Sequence, residues 1–120
     1  MLVVDDLPTF RLAAAQVIAA AHGFVLVGEA ASGEAALGFL QRHDVALVLL
    51  DVHMPGMGGV MAAREIARLF PRVAVVLLSV NSKADLPTGA LSLGAQFCTK
   101  EQFGPAELEG LWRKAARPPT

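Results

Sequence analysis

The sequence of 120 residues contains a single cysteine, Cys98. An internal disulfide framework is therefore excluded, and the chain suits a reducing compartment. The apolar run around Cys98 marks it as a packed core thiol and not a reactive one. Charge of one sign is also lacking: 10 Lys and Arg stand against 11 Asp and Glu, a formal net charge of −1. Without a basic excess no direct nucleic-acid binding is expected, and there is no acidic tail. No apolar run is long enough to span a bilayer. The short apolar opening meets Asp5-Asp6 at once, which is not the pattern of a signal peptide. Repeats and low-complexity segments are absent. What is present is ample apolar material, 54% of residues against 18% charged, enough for the core of one domain. The expectation is a soluble, cytoplasmic domain over residues 1–117 with no membrane partner, and a tail or the start of a linker at 118–120.

Along the chain, strand and helix periodicities alternate. Leu2 to Val4 reads as a strand, and Pro8 suits the first turn of a helix that keeps Phe10, Ala14, Val17, Ile18 and Ala21 on one face. His22-Gly23 reads as its end, with Gly23 in the left-handed C′ position. A strand over Phe24–Ala30 follows, then a helix capped by Ser32, with Glu34 in its first turn and its end near Arg42-His43. Val45–Leu50 is a third strand. The third helix, Gly59–Phe70, is expected to point Val60, Ala63, Ala67 and Phe70 inward and to stop at Pro71. Val73–Leu78, a short helix within Leu86–Leu93, a strand over Ala95–Thr99 and a helix over Pro105–Ala116 complete the pattern. The last helix is expected to bury Leu108, Leu111, Trp112 and Ala115 and to carry an i,i+4 pair, Glu109 and Arg113. Five strands alternating with five helices predict an α/β, flavodoxin-like three-layer sandwich. Its sheet is five-stranded and parallel, in order 2-1-3-4-5.

That order gives the polar residues a geometry. Open α/β sheets bind ligands at the carboxyl ends of their strands. Strand 1 ends at Asp5-Asp6, strand 3 at Asp51, strand 4 at Ser79 and strand 5 at Lys100, and those four strands are neighbours. Like charges about 4 Å apart cost roughly 4 kcal/mol at an effective dielectric of 20, so three carboxylates need a raised pKa or a cation. Lys100 offsets one charge, and a site with few protein ligands suits Mg²⁺ for the rest. Asp51, alone at the central strand, is then the best nucleophile for a phosphoryl group, with Ser79 and Lys100 placed to hold phosphoryl oxygens.

These residues resemble the receiver domain of two-component response regulators, over essentially the whole chain. Leu2-Val3-Val4-Asp5-Asp6 is similar to the family's acidic pair after strand 1. Asp51-Val52-His53-Met54-Pro55 with Gly59 matches its D-x-x-M-P-x-x-x-G signature. Ser79 stands at its Ser/Thr position, and Gly94-Ala95, Phe97 and Lys100 match the run into its lysine. The resemblance implies that a histidine kinase phosphorylates Asp51. It implies that Asp5, Asp6, Asp51 and the backbone carbonyl of His53 position Mg²⁺. Ser79 and Phe97 would act as a switch altering the face of helix 4, strand 5 and helix 5, through which a phosphorylated homodimer is expected. Such a domain turns over no separate substrate.

Four positions depart from the pattern. Val80 stands where a small Ala is common, which predicts slower access of water and small phosphodonors. Glu101 replaces the common Pro after Lys100, so no cis-Pro is expected there; this Lys-acid pair resembles the branch with a C-terminal helix-turn-helix output domain. Pro87 and Gly89 fall where helix 4 begins, which predicts a short helix, capped by Asp85. Phe97 has no hydroxyl for a Tyr-type hydrogen bond.

Taken singly, Asp5-Asp6 reads as a solvated turn, Ser79 as a strand-end hydroxyl and Lys100 as a surface lysine; their joint placement reverses those readings. Packing and switching stay equally open for Phe97. The main alternative function is a non-phosphorylated interaction module on the same fold. A haloacid-dehalogenase-type phosphatase would want a second Asp where His53 stands, and a flavin site lacks its Ser/Thr-rich loop after strand 1. The kinase, the signal and the output are not encoded in these residues. Nor do they distinguish a natural single-domain regulator from a piece cut at Pro118-Pro119.

Overall fold

The computed structural model describes residues 1–82, 86 and 94–115. Five strands, β1 (Leu2–Val4), β2 (Gly28–Ala30), β3 (Leu47–Asp51), β4 (Ala74–Ser79) and β5 (Gln96–Thr99), alternate with helices α1 (Pro8–Ala20), α2 (Gly33–Arg42), α3 (Gly59–Leu69) and α4 (Pro105–Ala115). The strands form one sheet in the order β2-β1-β3-β4-β5, with every pairing parallel. The expected helix within Leu86–Leu93, with its Asp85 cap, Pro87 and Gly89, lies outside the described residues, as does the 118–120 tail.

The unbroken apolar run of β3 follows from burial on both faces. Val48 and Leu50 point to a core shared with Ala36 and Leu40 of α2 and Ala62, Ala63 and Ile66 of α3. Leu47 and Leu49 point to the opposite core, shared with Ala14 and Ile18 of α1 and Leu108 and Leu111 of α4. Fully burying each of these leucines contributes about 1.5–3 kcal/mol. The period-2 alternation of a strand thus assigns successive residues to two separate cores, giving the three layers.

Ser32 caps α2: its side chain accepts a hydrogen bond from the Ala35 N–H at 3.1 Å, as its type predicts. Other local expectations shift. The strand expected over Phe24–Ala30 is ladder-paired only at Gly28–Ala30, because β1 offers three partners. Ahead of it, Val27 N–H reaches Met1 O and the Met1 ammonium reaches Val25 O. Helix α1 stops at Ala20 with an extended cap at Ala21, so Gly23 takes φ +84° in the following turn and not at the cap. The inward stripe of α3 is Gly59, Ala62, Ala63 and Ile66, while Ala67 is exposed and Val60 and Phe70 are only half-buried. The helix is rotated from the expected face because its start is pressed onto the end of β3. Among the described residues Glu109 and Arg113 form no ion pair; the helical pair is Arg68 with Glu65 on α3, at 2.7 Å.

Candidate functional site

Each polar residue arrives at the site because a strand ends there. Register carries Asp51 of β3 beside Leu78 of β4, and Ser79 of β4 beside Thr99 of β5. Val52 N–H then donates to Leu78 O and Lys100 N–H to Ser79 O, which pins both strand exits. On the other side, Asp5 N–H donates to Ala30 O. The carboxyl ends of β1, β3, β4 and β5 are thereby brought to one crevice.

Within it Asp5, Asp51 and Ser79 are buried polar residues, and Asp6 is half-buried. One carboxylate oxygen from each of Asp5, Asp6 and Asp51 lies within 4.8 Å of the others. The Lys100 ammonium stands 2.7 Å from Asp5 Oδ2 and 3.5 Å from Asp51 Oδ1. It therefore sits nearer to Asp5 than to the central aspartate. Asp5 Oδ1 accepts from Leu7 N–H at 2.9 Å. Asp5 Oδ2, although buried and close to Lys100, has no hydrogen bond of acceptable geometry. Asp51 Oδ1 accepts from His53 N–H at 3.3 Å. Burial raises the Asp51 carboxyl above its ordinary range, and the Asp5 charge adds to this; Lys100 and the His53 N–H oppose it. Among the described residues, three carboxylates thus face the one ammonium of Lys100, which does not balance them.

The loop after β3 is shaped by close approach. A Cβ on Gly59 would overlap the Asp51 carbonyl, so only glycine lets α3 start against β3. Gly58 and Gly56 take φ of +76° and +79°, a conformation that L side chains rarely adopt. Glu34 of α2 accepts from Met57 N–H at 3.1 Å and ties this loop to the neighbouring helix. Met54 and Met57 pack against the α2–α3 core.

The remaining expected residues fall as follows. His53 is exposed, with its ring Nε2 3.5 Å from Asn81 Nδ2. Ser79 is buried and its Oγ accepts from Asn81 N–H at 3.0 Å. Phe97 is half-buried against the α2–α3 core. Val80 at the rim is 72% exposed. Sequence reasoning missed four contributors. Arg11 donates to the Asp5 carbonyl at 2.6 Å and pairs with Glu29 at 3.2 Å. Phe10, read as a core residue of the first helix, places its ring 4.5 Å from the Lys100 ammonium. Glu34 holds the Met57 N–H of the loop after β3, and Asn81 donates its backbone N–H to Ser79 Oγ while its side chain meets the His53 ring.

The response regulator receiver domain family model matches residues 1–112. The chain belongs to this family. Receiver domains are signalling modules of two-component systems. Response regulator UvrY of Escherichia coli (strain K12) is 33% identical over 108 residues, which is 90% of this chain and 50% of UvrY. Response regulator GacA of Pseudomonas syringae pv. syringae is 36% identical over 108 residues, again 90% of this chain and 50% of the relative. The receiver domain thus spans about half the length of the curated relatives it matches. Among solved structures, one chain of the CheX-CheY-BeF3-Mg complex from Borrelia burgdorferi aligns over 98% of this chain and 88% of its own, with a TM-score of 0.84 and 26% identity. TrrA from Thermotoga maritima, in complex with Mg and BeF, aligns over 95% of this receiver domain and 96% of its own chain, with a TM-score of 0.80 and 29% identity. The flavodoxin-like fold and strand order expected from the sequence are those of this family. Among the described residues, no helix is long and apolar enough to cross a membrane.

Proposed function

We propose that this receiver domain is a phosphoacceptor that takes a phosphoryl group from a histidine kinase onto Asp51 and signals through its β5–α4 side to an output partner or domain. The observation that carries the reading is the gathering of Asp5, Asp6 and Asp51 within 4.8 Å with Lys100 beside them. The donor set fits Mg²⁺: three hard carboxylate oxygens within 4.8 Å of one another suit an ion that keeps several waters. Two of the similar solved structures are complexes with magnesium and beryllofluoride, which supports the same reading. Asp5, Asp6, Asp51 and the His53 carbonyl would hold the ion, which supplies charge neutralisation to a phosphoryl in flight.

The protein's own residues do the rest. An Asp51 carboxylate oxygen attacks phosphorus; the P–N bond to the kinase imidazole breaks, and that nitrogen leaves with the electron pair. The product is an acyl phosphate on Asp51. Lys100 moves from Asp5 toward a phosphoryl oxygen, and the Ser79 hydroxyl donates to another. For Ser79 this turns toward the phosphoryl a hydroxyl whose oxygen now accepts from Asn81 N–H, which displaces the β4 exit. Phe97, on the adjacent strand, carries that displacement to the surface of β5 and α4. That surface, with the chain at 86–93, is the proposed homodimer face. Acetyl phosphate with Mg²⁺ tests the reading: a hydroxylamine-labile label that vanishes in Asp51→Asn supports it. No label on the wild type favours an interaction module that works unphosphorylated.

A further inference from the structure

We propose that Phe10 is a positioning residue for Lys100, holding its ammonium on the Asp5 side of the pocket until a competing charge draws it away. The inference rests on the phosphoacceptor reading and deepens it. Three observations converge. The ammonium lies 4.5 Å from the centre of the Phe10 ring, inside the range in which a ring face attracts a cation. It lies 0.8 Å closer to Asp5 than to Asp51, by the difference of 3.5 and 2.7 Å. Its 2.7 Å ion pair with Asp5 Oδ2 falls outside hydrogen-bond geometry, so a second contact, the ring, can help to set its position. Phe10 itself is half-buried in the core under α1, so its platform is fixed. Arg11, the next residue, grips the Asp5 carbonyl. One turn of α1 thus holds both the Asp5 backbone and the lysine that neutralises its carboxylate.

The consequence is a competition. With Lys100 held against Asp5, part of the charge that Mg²⁺ would neutralise is already met. Removing the ring frees the ammonium, and Asp5 becomes more available to the ion. A partly buried cation–π contact corresponds to about a fivefold change in an equilibrium. Isothermal titration of the full chain with MgCl₂ should therefore show Phe10→Leu binding about fivefold tighter than wild type. Phe10→Trp, which keeps a ring face, should stay near wild type. In a Lys100→Met background, Phe10→Leu should change Mg²⁺ affinity no further. Equal effects of Phe10→Leu in both backgrounds, or no effect in either, would overturn the proposal, since a packing role is indifferent to Lys100. Weaker binding in Phe10→Leu would overturn it as well. Labelling of wild type by acetyl phosphate is run in parallel. If wild type takes label and binds Mg²⁺ but the cycle is additive, only the role of Phe10 fails. If wild type does neither, the phosphoacceptor reading fails with it.

Discussion

Replacing Asp51 by Asn removes one charge from a pocket whose described residues set three carboxylates against the Lys100 ammonium. At the 4.8 Å outer limit of the carboxylate cluster, each like-charged pair costs about 3.5 kcal/mol at an effective dielectric of 20, and Asp51 takes part in two. Lys100, 3.5 Å away, returns about 4.7 kcal/mol. The balance against ionised Asp51 is about 2 kcal/mol, and solvent screening at half-buried Asp6 trims it to roughly 1–2 kcal/mol. Asp51→Asn should therefore stabilise the metal-free protein by that amount. For a domain of this size the Tm rises by roughly 4–8 °C. Thermal melts followed by circular dichroism in EDTA at neutral pH measure it.

The pH dependence has a definite sign. Burial first, then Asp5, raises the Asp51 carboxyl, so the folded state binds that proton more tightly than the unfolded state. The contribution favours folding below the ordinary aspartate value of about 3.9. It is lost as pH rises through the raised folded value. The gap between variant and wild type should widen across that window and stay constant above it. Magnesium should reverse the order: at one hundred times its dissociation constant an ion stabilises a protein by about 2.7 kcal/mol, and the variant has lost a ligand. An Asp51→Asn protein that melts at or below wild type in EDTA would refute the charge balance.

Three other predictions rest on single contacts. Gly59→Ala must push α3 off the Asp51 carbonyl; a loss of about 3 kcal/mol, at the upper end of overpacking costs, should appear in urea unfolding, together with weakened Mg²⁺ binding. Ser32→Ala removes the cap on α2 and should cost about 1 kcal/mol in the same assay while leaving Mg²⁺ affinity unchanged. Val80→Ala opens the rim beside the proposed phosphoaspartate and should speed loss of label from it, read as a shorter half-life after donor removal; an unchanged half-life would show that Val80 does not gate access.

The parts of the site that could be read from residues alone share one property: they lie where a strand ends. Asp5, Asp6, Asp51, Ser79 and Lys100 each follow an apolar run, and a five-stranded parallel order fixes which ends are adjacent. Arg11 and Glu34 were not legible because their partners are backbone groups of other segments, met only after folding; Asn81 was not because its side chain meets His53 across the site. Phe10 had a sequence signal, its helical spacing, but that signal reports burial and not the lysine above it. The same limit applies to the fold. Apolar content over Phe24–Val27 is strand-like, yet pairing needs a partner, and β1 is three residues long. On α3, Ala67 and Ala63 look alike in a helical wheel; the contact of Gly59 with β3 decides which one is buried.

Sodium borohydride reduces an aspartyl phosphate to homoserine, and peptide sequencing then locates the modified residue. After treatment with acetyl phosphate and Mg²⁺, homoserine should be found at position 51 and at no other acidic position. Homoserine at position 5 or 6, or none in a protein shown to be folded and magnesium-bound, would contradict the assignment of Asp51 as the residue that receives the phosphoryl group.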